Sequence, residues 1–313
     1  MAQISMHQVK ELRERTQAGL NDCRSALNEA EGDMDKAIDI ILKKGLAKSA
    51  KRAGAVASEG LVIARLAADR KSGVIVEVNI QTDFAARNDD FVAFANKVAE
   101  IAERAPDGAD LASQPMPGTS GSVEDARQAL VGKLGENVLV RRWDRLKLDG
   151  AGRVHSYVHL GGKIGVLLAS TAPSDEATRA PDFEKFIDDV AMQIAAMAPL
   201  WLSKDEVPEA DKKKQAEIFE AQFAEDPKAP PVERRAGAVQ GKVAKWMKEV
   251  VLLEQPSVVE TDKSVDQVRQ AVSKAVAGDI SLKKFVRYER GEGVEKPQGP
   301  DFASEVAKMA GAE

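Results

Sequence analysis

The chain has 313 residues, of which 30% are charged and only 4% are aromatic, and its net charge is −5. This length allows two or more domains with a sizeable core, and the acidic excess disfavours nucleic acid as the main partner. A single cysteine excludes an intrachain disulfide and suits the cytoplasm. The sequence also predicts no signal peptide and no membrane span.

Residues 1–54 are predicted to form a three-helix domain that ends in a basic linker. Ser5 and Asp33 are suited to cap the first and third helices, and the T-Q-A-G tetrapeptide separates the first helix from the second. Gly45 is a plausible end for the third helix, because glycine often follows the last helical turn.

The middle of the chain contains an internal repeat with an offset of 92 residues and no gap. Residue identities that recur at this offset include Gly60 with Gly152 and Phe91 with Phe183. Each copy has the pattern of a strand, a turn, a second strand, a loop and a helix. The repeat therefore predicts two related α+β subdomains.

The predicted fold class is α+β, with the first core subdomain at residues 55–150 and the second at 151–199 and 249–290. Residues 200–248 are charge-rich helix formers interrupted by D-P-K-A-P-P, which predicts an exposed, coiled-coil-like helical insertion such as a helical hairpin. The V-V-L-L-E stretch that follows is strand-like. Residues 291–313 are predicted to form a C-terminal module with a short amphipathic helix.

Motifs for covalent chemistry are scarce in this sequence. No phosphate-binding loop is found, and Gly161-Gly162 is better suited to a two-residue hairpin turn. His155 and His159 share one strand face, where a solvated face is favoured over a metal pair. Cys23 lies on an apolar helix stripe, which favours a core thiol over a reactive one. No catalytic residue, metal ligand or cofactor is predicted.

The turn at T-D-F-A, residues 82–85, places a large apolar ring between a predicted strand and a predicted helix. At the repeat offset T-D-F becomes S-D-E and Phe84 falls on Glu176, so the shared fold does not demand an aromatic side chain there. Composition favours a buried ring, whereas the turn and the repeat favour an exposed ring that would be a typical interface hot spot. The residues alone leave both interpretations open.

Five motifs, in order along the chain, resemble signatures of the bacterial elongation factor Ts family. They are R-T-Q-A-G-L-N-D-C-R-S-A-L at 15–27, E-V-N-I-Q-T-D-F at 77–84, L-G-E-N-V-L-V-R-R at 134–142, Y-V-H-L-G-G-K-I-G-V-L at 157–167 and I-A-A-M-A-P at 194–199. The resemblance covers most of the chain and is weakest around the charged insertion. It implies a ubiquitin-associated-like three-helix domain, a two-subdomain core, a helical insertion and a C-terminal module.

The resemblance also implies a guanine-nucleotide exchange factor that promotes GDP release from elongation factor Tu without covalent chemistry. In the family the T-D-F turn disturbs the magnesium site of the GTPase, a role that would fall here to Thr82, Asp83, Phe84 and Ala85. The family usually has a bulkier residue after the phenylalanine, and Ala85 departs from that pattern. Further partner contacts are expected from Arg15, Thr16, Ala18, Gly19, Leu134, Gly135, Glu136, Asn137, His159 and Gly162.

The alternative function is a non-catalytic scaffold or chaperone-like binding protein with the same fold, and the intact T-D-F triplet favours exchange over it. The expected setting is the cytoplasm, with elongation factor Tu carrying GDP or GTP as the partner and with no membrane or direct nucleic-acid contact. The insertion could form a homodimer contact, a second partner site or no contact at all, and the sequence does not choose between these alternatives.

Overall fold

A computed structural model describes residues 4–16, 18–226 and 229–295, which form nine α-helices and six β-strands. The predicted C-terminal helix lies outside these residues. The helices are α1 (Met6–Thr16), α2 (Leu20–Glu29), α3 (Met34–Arg52), α4 (Asp89–Arg104), α5 (Val123–Leu134), α6 (Pro181–Met197), α7 (Glu209–Glu225), α8 (Val232–Val250) and α9 (Val265–Ala275). The strands are β1 (Glu59–Leu66), β2 (Ser72–Ile80), β3 (Val138–Lys147), β4 (Gly152–His159), β5 (Ile164–Thr171) and β6 (Ser281–Glu289).

The strands form two three-stranded sheets with the orders β1-β2-β3 and β4-β5-β6, which confirms the predicted α+β class. Contacts divide the chain into two compact units. The first unit comprises Met1–Ile63, Val76–Arg142 and Glu289–Glu313, and the second comprises Ala64–Ile75 and Trp143–Tyr288. The predicted domain boundaries stay a prediction. No helix in the described ranges is long and apolar enough to cross a membrane.

The three N-terminal helices form as predicted. Ser5 Oγ accepts a hydrogen bond from Gln8 N at 3.2 Å, and the Asp33 carboxylate accepts from Asp35 N and Lys36 N at 3.1 Å. These caps satisfy N–H groups that the first helical turn leaves unpaired. Apolar side chains of the three helices pack into a small core that includes the fully buried Cys23. Burial raises the pKa of this thiol, as expected for an unreactive core cysteine.

The predicted helix end at Gly45 is wrong, because α3 continues to Arg52 and takes in the basic linker. Gly45 packs against Gly132 of α5, and a Cβ atom built on Gly132 would lie 2.9 Å from the Gly45 Cα. An interior glycine weakens a helix by roughly 1 kcal/mol relative to alanine. Here it lets two helix backbones approach more closely than any side chain would allow.

The two copies of the repeat have the same geometry, which confirms the duplication. Gly60 and Gly152 have φ angles of +129° and +136°. A Cβ atom would lie 2.1 Å from Val78 O at the first glycine and 2.2 Å from Ser170 O at the second. Both the positive φ and the close carbonyl require glycine. A short 3₁₀ turn follows the second strand of each copy, before α4 and α6 respectively.

The duplication also includes a second helix and a third strand in each copy. S-V-E-D-A-R-Q-A in α5 and S-V-D-Q-V-R-Q-A in α9 are 142 positions apart, and each begins with a capping box at Ser122 or Ser264. Arg127 donates to Val138 O at 2.8 Å, and Arg269 donates to Ile280 O at 2.6 Å. Each copy therefore ends with a helix tied to the third strand of its sheet. The offset between the copies is 92 residues before the helical insertion and 142 residues after it, and the insertion accounts for the difference of fifty residues.

The helical insertion is a hairpin in which α7 and α8 pack against each other, as predicted. Two local predictions in the same half of the chain are wrong. V-V-L-L-E forms a 3₁₀ turn at Leu252–Glu254, and its pairing with residues 200–202 is limited to one bridge from Val251 to Trp201 and a few backbone hydrogen bonds. His159 pairs with Ile164, so the β4–β5 loop has four residues rather than two.

Candidate functional site

The Phe84 ring is 87% exposed, the largest exposed fraction among the large apolar side chains of the described ranges. Phe84 has φ −66° and ψ −48°, ordinary right-handed helical values, and it opens the 3₁₀ turn Ala85–Arg87. Ala85 and Ala86 are buried beneath that turn. The alanines anchor the turn while the ring stands in water, so the interface interpretation of Phe84 is favoured over the core interpretation.

The base of this turn is held by Glu136, from the loop between α5 and β3. Its Oε2 accepts from Thr82 N at 3.0 Å and its Oε1 accepts from Thr82 Oγ1 at 2.8 Å. Thr82 Oγ1 in turn accepts from Ala85 N at 3.2 Å. The structure thus joins two predicted contact segments, T-D-F-A and L-G-E-N, into one site.

The Glu136 loop is fixed on both sides. Gly135 ends α5 in the left-handed conformation, with φ +74°. Asn137 N donates to Gln81 Oε1 at 2.7 Å, and Asn137 Nδ2 donates to Ala55 O at 2.8 Å. The loop therefore holds the end of β2 and the segment that follows α3. Leu134, the last residue of α5, is partly exposed beside it.

The equivalent turn of the second copy is fixed differently. Asp175 accepts from Lys71 Nζ at 2.5 Å and from Gly152 N at 3.2 Å, and the Lys71 hydrogen bond lowers the pKa of this carboxyl. Its counterpart Asp83 is 65% exposed and pairs with the exposed Arg87 at 3.4 Å. The second turn uses its aspartate to accept hydrogen bonds within the fold, whereas the first turn exposes an aspartate and an aromatic ring to solvent.

The site lies within a segment that comparison with known proteins identifies. A family model described as "Elongation factor TS" matches residues 81–292. The elongation factor Ts of Clostridium perfringens strain SM101 is 43% identical over 312 residues, covering 98% of this chain and 99% of that protein.

The chain belongs to the elongation factor Ts family.

Other members of the elongation factor Ts family align over nearly their whole length. That of a Nitratiruptor species is 43% identical over 97% of this chain and 98% of its own. That of Symbiobacterium thermophilum is 41% identical over 99% of both chains. The resemblance drawn from the five motifs is therefore confirmed, and the protein is placed among the translation elongation factors.

The N-terminal residues singled out by the elongation factor Ts motif lie at the α1–α2 junction. Thr16 Oγ1 donates to Leu12 O at 2.7 Å, and Gly19 is the N-cap of α2. Ala18 O accepts from the Cys23 thiol at 3.7 Å. Arg15 is half exposed and lies 3.5 Å from Asp35, so among these residues it is the one that offers a polar group to solvent.

His159 and Gly162, also carried over from the elongation factor Ts family, lie at the β4–β5 hairpin of the second unit. His159 is exposed, and its Nδ1 lies 2.8 Å from the Tyr157 hydroxyl, with the rings stacked. The adjacent Leu160 is 68% exposed. Gly162 is buried with φ +95°, a conformation that favours glycine and gives this residue a backbone role.

His155 does not lie on a solvated face, contrary to the expectation for this strand. It is largely buried on β4, and its Nε2 lies 2.9 Å from the Asp188 carboxylate of α6. Burial lowers the pKa of His155, and Arg153 and Arg70 lower it further, against the opposing effect of Asp188. Within the described ranges no group of three His, Cys, Asp or Glu side chains is placed to bind a metal ion.

We expect His155 to make the fold sensitive to mild acid. A lowered folded-state pKa means that below about pH 6.5 the unfolded chain binds more protons than the folded chain. The stabilisation is therefore present above that pH and is lost as pH falls through the folded pKa, by at most about 1.4 kcal/mol per pH unit. Urea unfolding at pH 7.5 and 5.5 should show a smaller loss for His155→Gln than for the wild type.

The exposed His159→Gln is the matched control for this acid effect, since it lies on the same strand. It should follow the wild type at both pH values. Equal losses in the wild type and His155→Gln would show that His155 titration does not contribute to acid sensitivity.

The sequence gives no local sign of the hydrogen bonds that hold the turn or of the role of Gln81. Gln81 precedes T-D-F directly, but its partner Asn137 lies 56 residues away and nothing local indicates the pair. The repeated S-V-x-x-x-R-Q-A motif was the one available signal. This motif aligns α5 with α9 and therefore makes the loops that follow these two helices equivalent positions in the two copies.

Proposed function

We propose that this protein is a guanine-nucleotide exchange factor for elongation factor Tu, acting in the cytoplasm. The observation that carries the proposal is the exposed Phe84 ring on a turn clamped from below by Glu136. A large rigid ring that is solvated in the free protein loses water only when a partner covers it, which is the property of an interface hot spot.

The proposed mechanism needs no acid, base or nucleophile from this chain. Magnesium neutralises part of the charge on the GDP phosphates in the GTPase, and displacing its ligands removes that stabilisation. Phe84 would enter beside the ion while Asp83 and the backbone of Thr82 and Ala85 line the entry. Ala85 is small and buried, so it adds little to the exposed surface at the position where the family usually has a bulkier residue.

The proposed partner contacts at the α1–α2 junction and the β4–β5 hairpin are divided by the solvent exposure of their side chains. Arg15 and His159 carry exposed polar groups and would contact elongation factor Tu directly. Thr16, Ala18, Gly19 and Gly162 would act through the backbone conformations they maintain. A homodimer through the α7–α8 hairpin stays a prediction.

Thermodynamic linkage gives the proposal a quantitative form. If the factor lowers the affinity of elongation factor Tu for GDP by some ratio, GDP must lower the affinity for the factor by the same ratio. The factor therefore accelerates equilibration, and the concentrations of GDP and GTP set the direction.

The test is stopped-flow release of a fluorescent GDP analogue from elongation factor Tu, with the factor present in catalytic amounts. The proposal predicts release at least about tenfold faster than the spontaneous rate, together with reciprocal weakening of factor binding by GDP. Binding without acceleration would instead identify a scaffold of the same fold.

A further inference from the structure

Both carboxylate oxygens of Glu136 are engaged within the chain, at 3.0 Å and 2.8 Å from the two donors of Thr82. Charge-assisted bonds of this kind are stronger than those between neutral groups. We infer that Glu136 is a positioning residue for nucleotide exchange, which acts by holding Phe84 through Thr82 and not by its own contact with the partner. This inference rests on the proposed function.

The connection from Thr82 to Phe84 runs through the turn itself. The Thr82 hydroxyl donates to Glu136 and accepts from Ala85 N at 3.2 Å, so it uses both kinds of hydrogen bond that a hydroxyl offers. Thr82 O accepts from Ala86 N at 3.1 Å, and Phe84 O accepts from Arg87 N at 3.2 Å. Hydrogen bonds therefore hold the backbone on both sides of Phe84, and Glu136 anchors them through Thr82.

A side chain ordered before binding loses less conformational freedom when the partner arrives. Immobilising a flexible interface side chain costs conformational entropy, and a mobile turn adds backbone entropy to that cost. The clamp restrains the backbone of the turn that carries the 87% exposed ring, and so it removes much of the backbone part of this cost. Loss of the clamp should therefore weaken the action of Phe84 without altering the ring.

The second copy of the module shows that the fold does not require this carboxylate. At the offset of 142, Glu136 corresponds to Gly278, where an added Cβ would lie 2.5 Å from Pro173. The second turn keeps the hydroxyl cap, from Ala177 N to Ser174 Oγ at 3.1 Å, but no carboxylate of the described residues accepts a hydrogen bond from Ser174. The carboxylate occurs in the copy that presents a ring and not in the copy that presents Glu176.

A double-mutant cycle tests this role. The maximal rate of GDP release and the half-saturating factor concentration are measured for wild type, Glu136→Ala, Phe84→Ala and the double variant. Glu136→Ala should lower the maximal rate about five- to tenfold in the wild-type background and less than twofold in the Phe84→Ala background, because coupled residues are not additive. Glu136→Gln, which keeps one acceptor oxygen, should be intermediate and guards against misfolding of the alanine variant.

Thr82 variants supply a second readout that a general structural role would not give. Thr82→Ser keeps the hydroxyl and should retain the rate, whereas Thr82→Val should reproduce the Glu136→Ala loss. Equal fold losses in both Phe84 backgrounds would show that Glu136 acts independently of the ring and would overturn the inference, as would a wild-type rate in Glu136→Ala. No acceleration by the wild type would overturn the proposed function itself, and this outcome is visible without any variant.

Discussion

Phe84→Ala is expected to lower the acceleration of GDP release from elongation factor Tu by roughly thirty- to a thousandfold, the range that corresponds to a hot spot of about 2–4 kcal/mol. The ring is 87% exposed, so its removal creates no cavity in the core. The thermal midpoint should stay within about 2 °C of wild type, because surface changes usually remain within about 0.5 kcal/mol. Stopped-flow release and thermal unfolding measured on the same preparations check both parts.

The duplicated module provides the matched control for Phe84. Glu176 occupies the equivalent place on the second turn, is exposed, and has nearly the same backbone angles. Glu176→Ala should leave both the release rate and the thermal midpoint unchanged. A clear loss of stability in Phe84→Ala, or equal rate losses in the two variants, would contradict the assignment of Phe84 to exchange.

Glu77→Ala is expected to destabilise the fold by about 3–5 kcal/mol, because it removes the buried carboxylate that pairs with the guanidinium groups of Arg141 and Arg142. The Glu77 carboxylate is fully buried and accepts from Asn79, Arg141, Arg142 and the Gly291 N–H. Burial alone would raise the pKa of this carboxyl, but the backbone, amide and guanidinium hydrogen bonds together hold it below its usual value. Chemical denaturation at neutral pH measures the loss.

Glu100→Ala is the control for this buried network. Glu100 pairs with Arg104 at 3.0 Å on the surface of α4, and such exposed pairs contribute about 0.2–1 kcal/mol. A Glu77→Ala loss no larger than the Glu100→Ala loss would show that the buried network adds nothing beyond a surface ion pair. The lowered pKa also means that the Glu77 contribution, present above about pH 4.5, is lost as pH falls through the folded value.

Features set by neighbouring residues were predictable from the sequence. Ser5 and Asp33 cap their helices because a short polar side chain reaches N–H groups two or three positions ahead. The duplication was visible because Gly60 and Gly152 each sit where a carbonyl from the paired strand leaves no room for a Cβ. For Phe84 the sequence left two interpretations open, because the turn and its second copy favoured an exposed ring whereas composition favoured a buried one, and the structure decides for exposure.

Features set by distant partners were not predictable. Gly45 has the local character of a helix end, but Gly132 on another helix gives it an interior role. The apolar V-V-L-L-E run is compatible with a strand, yet a strand also needs a neighbour to pair with. The clamp joins Glu136 to Thr82 across 54 positions, so no local pattern indicates it. The insertion displaced the second half of the repeat, which is visible only at a different offset through the S-V-x-x-x-R-Q-A motif.

The glycine contact between α3 and α5 bears on how a partner would be captured. Two helices whose backbones meet at Gly45 and Gly132 have no intervening side-chain layer over which to slide. Asn137 then ties the chain that leaves α3 to the loop that clamps the Phe84 turn. A partner that bound the N-terminal helices first would therefore meet the ring at a high effective concentration, because the ring belongs to the same compact unit.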